Sequence, residues 1–174
     1  NDLLQLVQDT IIIGEPEGTA VNTKERQQLF DYATHIPDYT YIFEIGTRFG
    51  ASAIVMALAL KQKKIKSKVI TIDINPDPVR IDVFRRNVLA VGLSDYIYHI
   101  VADSSFPCFK NLRISLLHID GCHLSEFVEN DWKIYSKYLN GVVAFHDFYQ
   151  VHDVVDKLNL AVFHIAENTG FGVR

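Results

Sequence analysis

The stretch that decides the fold is E-I-G-T-R-F-G at residues 44–50. Residues 41–45 have the composition of a strand and residues 51–59 have the pattern of a helix, so the stretch is a strand-to-helix turn. Gly46 and Gly50 bracket this turn, and their missing Cβ atoms let the backbone approach a ligand. The N-terminus of the following helix adds partial positive charge, which favours a carboxylate in that ligand.

Strand and helix patterns alternate through the rest of the chain, which is typical of βαβ units around a parallel sheet. Strands are predicted at residues 41–45, 68–74, 97–102, 114–119, 142–145, 161–166 and 171–173. Helices are predicted from a cap at Asn22 or Thr23 to before Pro37, and at residues 51–59, 76–91, 125–138 and 151–158. We therefore predict a single Rossmann-like α/β domain over residues 1–174, with residues 1–38 as an N-terminal helical extension. Its doubly wound, seven-stranded sheet is mostly parallel, with an antiparallel C-terminal hairpin strand around Asn168-Thr169-Gly170.

Composition narrows the classes of partner. The chain has 174 residues, 48% of them hydrophobic, and a formal charge of -4, which disfavours nucleic acid and anionic membranes as partners. A small-molecule or glycan partner is expected instead. Cys108 and Cys122 form neither a disulfide framework nor a CxxC motif, and no apolar run is long enough to span a bilayer, so a cytoplasmic location is predicted. An upstream leader before Asn1 and a homo-oligomeric state are both left open.

A carboxylate follows or closes each of the first five predicted strands. These residues are Glu44, Asp73, Asp103, Asp120 and Asp147. In a doubly wound sheet the carboxyl ends of the strands share one edge, and ligands bind in the crevice outside it. Ionised carboxylates accept hydrogen bonds and stabilise cations, so this cleft suits S-adenosylmethionine, which carries a sulfonium, an ammonium and a ribose diol. Any one of these acids alone is equally well explained as a helix cap or a solvated loop residue.

The predicted cofactor site follows the order of the strands. The turn at residues 44–50 is expected to hold the methionine part, Asp73 the ribose, and Asp103 the adenine. The complete predicted set is Glu44, Gly46, Thr47, Arg48, Gly50, Ser52, Asp73, Ile74, Ala102, Asp103, Ser104 and Asp120.

A nicotinamide dinucleotide is the rival ligand for a glycine turn at this place. Aligning G-x-G-x-x-G from Gly46 puts Arg48 where the second glycine should admit the pyrophosphate, and Ala51 at the third position. A dinucleotide is therefore the less favoured ligand.

The chemistry is predicted at the ends of strands four and five. Asp120, His123, His146 and Asp147 are the catalytic candidates, because neighbouring strands lie about 4.8 Å apart and their side chains can share a ligand. Asp120, His146 and Asp147 can hold a divalent cation such as Mg²⁺, which would lower the pKa of an acceptor hydroxyl. Without a metal, His123 or His146 can act as a general base. The alternative is that both histidines only hydrogen-bond loop backbone.

Four segments of the chain resemble the class I methyltransferases, and more narrowly the Methyltransf_24 group of sugar and antibiotic O-methyltransferases and cephalosporin-hydroxylase-like proteins. They are F-E-I-G-T-R-F-G-A-S (43–52), V-I-T-I-D (69–73), H-I-D-G-C-H-L-S-E-F-V-E-N-D-W (118–132) and V-V-A-F-H-D-F (142–148). The likeness extends from about residue 18 to residue 174.

The resemblance implies cofactor contacts for Gly46, Asp73 and Asp103, and places Asp120, His146 and Asp147 where metal-dependent relatives hold a divalent cation. Relatives often carry Glu-Asp or Asp-Asp in place of His146-Asp147. The imidazole is a softer ligand than the oxygen donors that magnesium prefers.

The sequence thus predicts an S-adenosylmethionine-dependent methyltransferase that O-methylates a small molecule or a sugar hydroxyl. A non-catalytic cofactor-binding partner subunit is the second hypothesis, and a nucleotide or NAD enzyme is the third. No local signature identifies the methyl acceptor.

Overall fold

The computed structural model describes residues 23–107, 109–158, 160–166 and 168–173. Residues 1–22 of the predicted extension, including the predicted cap Asn22, lie outside the described residues, as does Cys108. The described part of the extension begins with a helix, α1 (Thr23–Ala33). A single domain over residues 1–174, with an extension over residues 1–38, stays a prediction.

Strands and helices alternate after α1, as the sequence pattern predicted. The strands are β1 (Tyr41–Ile45), β2 (Lys68–Asp73), β3 (Ile97–Val101), β4 (Ile114–Ile119), β5 (Leu139–Phe145), β6 (Ala161–Ala166) and β7 (Thr169–Val173). The helices that follow α1 are α2 (Ala51–Lys63), α3 (Pro78–Ala90), α4 (Ser125–Tyr135) and α5 (Phe148–Val155). Short 3₁₀ turns, Ser136–Tyr138 and Asp156–Leu158, extend α4 and α5.

The strands form one seven-stranded sheet in the order β3-β2-β1-β4-β5-β7-β6. Strands β1 to β5 are parallel, and β7 runs antiparallel to both of its neighbours, β5 and β6. The predicted α/β fold class, with its antiparallel C-terminal hairpin, is confirmed. The strand order changes direction between β1 and β4, which is the switch point where sheets of this type open a ligand crevice.

Two hydrophobic layers cover the faces of the sheet. The layer beneath α1, α2 and α3 includes Leu29, Ile42 and Met56, all of which are fully buried. The layer beneath α4 and α5 includes Phe43 and Tyr135. Ile42 and Phe43 are consecutive and enter opposite layers, as side chains along a strand must. With both faces covered, the carboxyl edge of the sheet is left as the place for a ligand.

Strand β5 begins earlier than predicted, so Asn140 and Gly141 lie inside the strand and not in a turn before it. A Cβ on Gly141 would lie 2.1 Å from the carbonyl oxygen of Ser115. The β4–β5 register shifts at this point, between Ile114 and Leu116. Gly141 therefore allows β4 and β5 to approach each other closely. This explains why Asn140-Gly141, a pair typical of turns, lies within a strand.

Helix α5 also begins earlier than predicted, at Phe148 instead of residue 151. The cause is Asp147, whose φ of +50° turns the chain directly from β5 into the helix. A non-glycine residue in this left-handed region costs about 1–3 kcal/mol, and such residues concentrate at functional sites.

Across the described ranges, every helix is too short or too polar to cross a membrane. The cytoplasmic location stays a prediction.

Candidate functional site

A cavity of about 720 Å³ opens at the carboxyl edge of the sheet, at the switch point between β1 and β4. The loops that follow β1 to β5 form its walls, and α1 contributes Glu25. Predicted site residues that line the cavity are Gly46, Thr47, Arg48, Ser52, Asp73, Ile74, Ala102, Asp103, Ser104, Asp120, His123, His146 and Asp147. Glu44 and Gly50 are the two predicted residues that do not line it.

Gly46 places the first turn against the end of β4. Its φ is +96°, and an added Cβ would lie 2.0 Å from the carbonyl oxygen of Asp120. Glycine is therefore required here both by the backbone conformation and by the contact between two loops of the cavity wall.

Asp73 holds the same turn from the end of β2. Its Oδ2 accepts hydrogen bonds from the backbone N–H groups of Thr47 at 3.1 Å and Arg48 at 2.9 Å. Its Oδ1 accepts from the backbone N–H of Asn75 at 2.9 Å. A carboxylate has about four acceptor positions, so one position on Oδ1 is left to face a ligand. The predicted ribose ligand is thus also the residue that fixes the shape of the glycine turn.

Gly50 has a packing role, and its predicted place in the cofactor site stays a prediction. Its φ is +92°, and a Cβ there would lie 2.7 Å from the ring of Phe84 on α3. The absence of a side chain lets the start of α2 approach α3, behind the cavity wall.

Glu44 is buried and does not line the cavity, and its predicted contact with the cofactor stays a prediction. The residue is fully buried. Its carboxylate accepts hydrogen bonds from Ser52 Oγ and from Thr71 Oγ1, the latter at 2.6 Å, and lies 3.2 Å from His118 Nδ1. As the fourth residue of β1, it is directed into a polar network under the turn.

His118 is the histidine partner of Glu44. Burial opposes its charged form, but the hydrogen bond to Glu44 and the nearby carboxylate of Asp120 outweigh burial, so the pKa of His118 is raised. Its Nε2 has no hydrogen-bond partner among the described residues. A buried polar network around Glu44 and His118 therefore supports the turn that the cavity presents to a ligand.

Two acids and two histidines meet at the other end of the cavity, where β4 and β5 end. His123 Nδ1 contacts Asp147 Oδ2 closely, and His123 Nε2 lies 3.4 Å from Asp120 Oδ1. His146 Nε2 lies 3.6 Å from Asp147 Oδ1 and 3.9 Å from Asp120 Oδ1. The structure thus brings together the four side chains that the sequence proposed as catalytic candidates.

His123 is held between two negative charges. The hydrogen bond to Asp120 and the charges of Asp120 and Asp147 outweigh burial, so the pKa of His123 is raised. The charged imidazolium is therefore favoured at this position, with each ring nitrogen facing one carboxylate.

His123 also bears on the predicted metal site, which consists of Asp120, His146 and Asp147. His123 takes the space that a cation shared by Asp120 and Asp147 would need. Within the part of the chain that the structure describes, no group of three or more His, Cys, Asp or Glu side chains is arranged to hold a metal ion. The side chains as they lie do not fit a divalent cation that bridges Asp120 and Asp147. A metal requirement stays a prediction.

Sequence reasoning missed three residues that surround His146. Thr169 Oγ1 donates a hydrogen bond to Glu25 Oε1 at 2.7 Å and lies 3.3 Å from His146 Nδ1. Asn168 donates from Nδ2 to Asp147 Oδ1 and from its backbone N–H to Glu25 Oε1, the latter at 3.2 Å. No local sequence motif predicts these contacts, because more than 140 residues separate Glu25 from Asn168 and Thr169.

These contacts place a proton on Nδ1 of the His146 ring. Thr169 gives its single hydroxyl proton to Glu25, so it can only accept a hydrogen bond from His146. In the neutral form of a ring with its proton on Nδ1, the electron pair is on Nε2. This atom lies 3.6 Å from Asp147 Oδ1 and 3.9 Å from Asp120 Oδ1, beyond hydrogen-bond distance of both carboxylates.

Asp131 on α4 also lines the cavity and was not predicted. Its Oδ1 accepts a hydrogen bond from Ser104 Oγ at 2.7 Å, and the residue is only 4% exposed. Burial raises the pKa of Asp131, the hydrogen bond from Ser104 opposes this rise, and the charge of Asp103 adds to it.

We expect Asp131→Asn to raise the melting temperature of the ligand-free protein at neutral pH. A carboxyl whose pKa is higher in the folded state stabilises the fold below its unfolded pKa and loses that contribution as pH rises through the folded value. The neutral amide removes this loss. Thermal unfolding measured between about pH 4 and pH 7 checks the expectation, since the advantage of the variant should shrink at the acid end. A variant that is equally destabilised at every pH would contradict it.

A family model described as a methyltransferase domain, Methyltransf_24, matches residues 43–148. An uncharacterized protein of Acanthamoeba polyphaga mimivirus is 32% identical over 125 residues, which are 64% of this chain and 52% of that protein. The chain thus spans about half the length of this curated relative.

Solved structures of methyltransferases share the fold. The O-methyltransferase NovP superposes with a TM-score of 0.73 at 15% identity, covering 88% of this chain and 80% of NovP. The Podospora anserina methyltransferase PaMTH1, bound to S-adenosylhomocysteine, gives 0.73 at 14% identity, covering 99% of this chain and 87% of its own. The Streptomyces achromogenes O-methyltransferase TomG, in complex with S-adenosylmethionine, gives 0.65 at 14% identity, with coverages of 99% and 88%.

The family match includes the glycine turn, all the strand ends that form the cavity, and the acid and histidine cluster. The chain belongs to the class I S-adenosylmethionine-dependent methyltransferases, in the methyltransferase-domain family Methyltransf_24.

Proposed function

We propose that this protein transfers the methyl group of S-adenosylmethionine to a hydroxyl group of a small molecule or a sugar. The observation that carries the proposal is the position of His146, which lines the cavity at the end opposite the predicted adenine site, with Nε2 beyond hydrogen-bond distance of Asp120 and Asp147. The family assignment indicates S-adenosylmethionine as the cofactor, and the imidazole of His146 can act as the base for the acceptor hydroxyl.

The cofactor has a place along the cavity wall that follows from the groups present there. The first turn of α2, at Ala51 and Ser52, offers backbone N–H groups and partial positive charge to the methionine carboxylate. The remaining acceptor position of Asp73 suits the ribose diol. Residues 102–105 border the space left for the adenine. The sulfonium then lies toward the acids Asp120 and Asp147, whose negative charge favours it.

The contribution proposed for the protein in the methyl transfer step is a proton acceptor for the acceptor hydroxyl. The acceptor oxygen attacks the methyl carbon, the carbon–sulfur bond breaks, and its electron pair stays on the sulfur of S-adenosylhomocysteine. The hydroxyl proton passes to Nε2 of His146. Thr169 and Glu25 stabilise the resulting imidazolium through Nδ1, in the manner of the buried acid in a serine protease triad.

The charges around His146 narrow the class of acceptor. Glu25, Asp120 and Asp147 line this end of the cavity, and His123, whose pKa is raised by Asp120 and Asp147, lies between the latter two. A carboxylate or phosphate placed beside the acceptor hydroxyl would meet uncompensated negative charge. A neutral polyhydroxyl compound or an amino sugar fits better, since its hydroxyl or ammonium groups can donate to these acids.

We expect S-adenosylhomocysteine, and not NAD, to bind the purified protein in isothermal titration calorimetry and to raise its melting temperature. Tritiated S-adenosylmethionine should then label at least one member of a panel of neutral sugars, amino sugars and phenols. Parallel reactions with magnesium and with a chelator test the metal requirement. Binding without transfer to any acceptor would favour the cofactor-binding subunit, and absence of binding would remove the proposal.

A further inference from the structure

We propose that Asp131 is a specificity residue for the cofactor, which selects adenine by accepting a hydrogen bond from its exocyclic amine. This inference rests on the proposed function, since it concerns the base of the same cofactor. Asp131 belongs to α4, outside the strand-end loops to which sequence reasoning assigned the cofactor.

The two oxygens of the Asp131 carboxyl are in different situations. Oδ1 accepts the hydrogen bond from Ser104 Oγ, which ties α4 to the loop after β3. Oδ2 has no hydrogen-bond partner among the described residues, although the side chain is almost completely buried and lines the cavity. A Cβ added to Gly121 would lie 4.0 Å from Oδ2, so this oxygen lies beside the backbone at the end of β4.

A tie between α4 and the loop does not explain why the residue is an acid. Ser104 needs one acceptor oxygen, and the amide of asparagine offers one without the cost of burying a charge. The second oxygen has no donor among the described residues and lies at the cavity, where a ligand can donate to it.

The donor that fits is the amine on the adenine ring. The neighbouring wall is formed by Ala102, Asp103, Ser104 and Ser105, where the base is expected to lie. An exocyclic amine carries two N–H groups, so Asp103 and Asp131 can each accept one of them. Hypoxanthine carries a carbonyl oxygen at the same ring position, which would face the acceptor oxygens and leave them without a donor.

The experiment compares S-adenosylhomocysteine with S-inosylhomocysteine, in which the amine is replaced by that carbonyl, by isothermal titration calorimetry. We expect the wild-type protein to prefer the adenine compound, and Asp131→Asn to reduce this preference by about ten- to a hundredfold, because a hydrogen bond to a charged group is lost. The new amide N–H₂ can also donate to the hypoxanthine oxygen, so the affinity for S-inosylhomocysteine should rise. Asp131→Ala, which has neither oxygen, should likewise lose the preference.

Two variants separate recognition of the base from a structural role. Ser104→Ala removes the tie to α4 and one residue of the adenine wall but keeps the acceptor Oδ2, so the affinities for both compounds should fall together while their ratio persists. Asp153→Asn makes the same chemical change on an exposed side chain of α5 and should leave both affinities unaltered. If the Asp131 variants weaken both compounds equally and keep the wild-type preference, or if the wild-type protein shows no preference, the inference is overturned while the proposed function stands. Failure of the wild-type protein to bind S-adenosylhomocysteine at all would instead count against the proposed function.

Discussion

Replacing His146 with glutamine is expected to reduce methyl transfer by roughly 10²- to 10⁴-fold, the range typical for loss of a general base. The affinity for S-adenosylhomocysteine should change little, because Nε2 faces the acceptor end of the cavity and not the adenine end. Single-turnover transfer from tritiated S-adenosylmethionine, combined with calorimetry, measures the two effects separately.

The contacts of His146 supply matched controls for this prediction. Thr169→Val keeps the buried shape but cannot accept the Nδ1 proton, so transfer should fall, while Thr169→Ser should restore it. Equal activity in the valine and serine variants would show that Thr169 does not set the protonation of the ring. A normal transfer rate in His146→Gln would show that His146 is not the base.

The sequence could predict the cavity because strand periodicity and topology together determine which residues share an edge. Asp120 and Asp147 are far apart in sequence, yet each follows a neighbouring parallel strand, and the β4–β5 pairing brings them together. The same logic located the turn that begins at Gly46, since Gly46 follows a buried strand and precedes a helix.

Other parts of the site depend on side-chain direction or on distant contacts, which strand order does not specify. Glu44 stands one residue before the end of β1, and the alternation of strand side chains directs it beneath the turn. Glu25 reaches His146 only because α1 lies near the β6–β7 hairpin, a contact between the two ends of the described chain. In the sequence Asp131 is one acid within a helix pattern, and only the structure shows that it lines the cavity.

The second large effect is expected at Gly46, where alanine should both destabilise the fold and abolish binding of S-adenosylhomocysteine. An added Cβ would lie 2.0 Å from the Asp120 carbonyl oxygen, so either the turn or the end of β4 must move. Either movement separates the cofactor wall from the acceptor wall. The φ of +96° adds the cost of a left-handed backbone conformation for a residue with a side chain.

The variant Gly92→Ala is a control that distinguishes the effect of the steric contact at Gly46 from the effect of a positive φ. Gly92 also has a positive φ, +65°, but the nearest atom to an added Cβ is the flexible end of Lys61, at 3.3 Å. The positive φ should therefore lower the free energy of unfolding of both variants by about 1–2 kcal/mol. Overpacking should lower that of Gly46→Ala by about 1–3 kcal/mol more. Urea unfolding measures the difference, and calorimetry should find S-adenosylhomocysteine binding lost only in Gly46→Ala. If the two variants were equally stable and bound the ligand equally well, the contact between Gly46 and Asp120 would not be what holds the two walls of the cavity together.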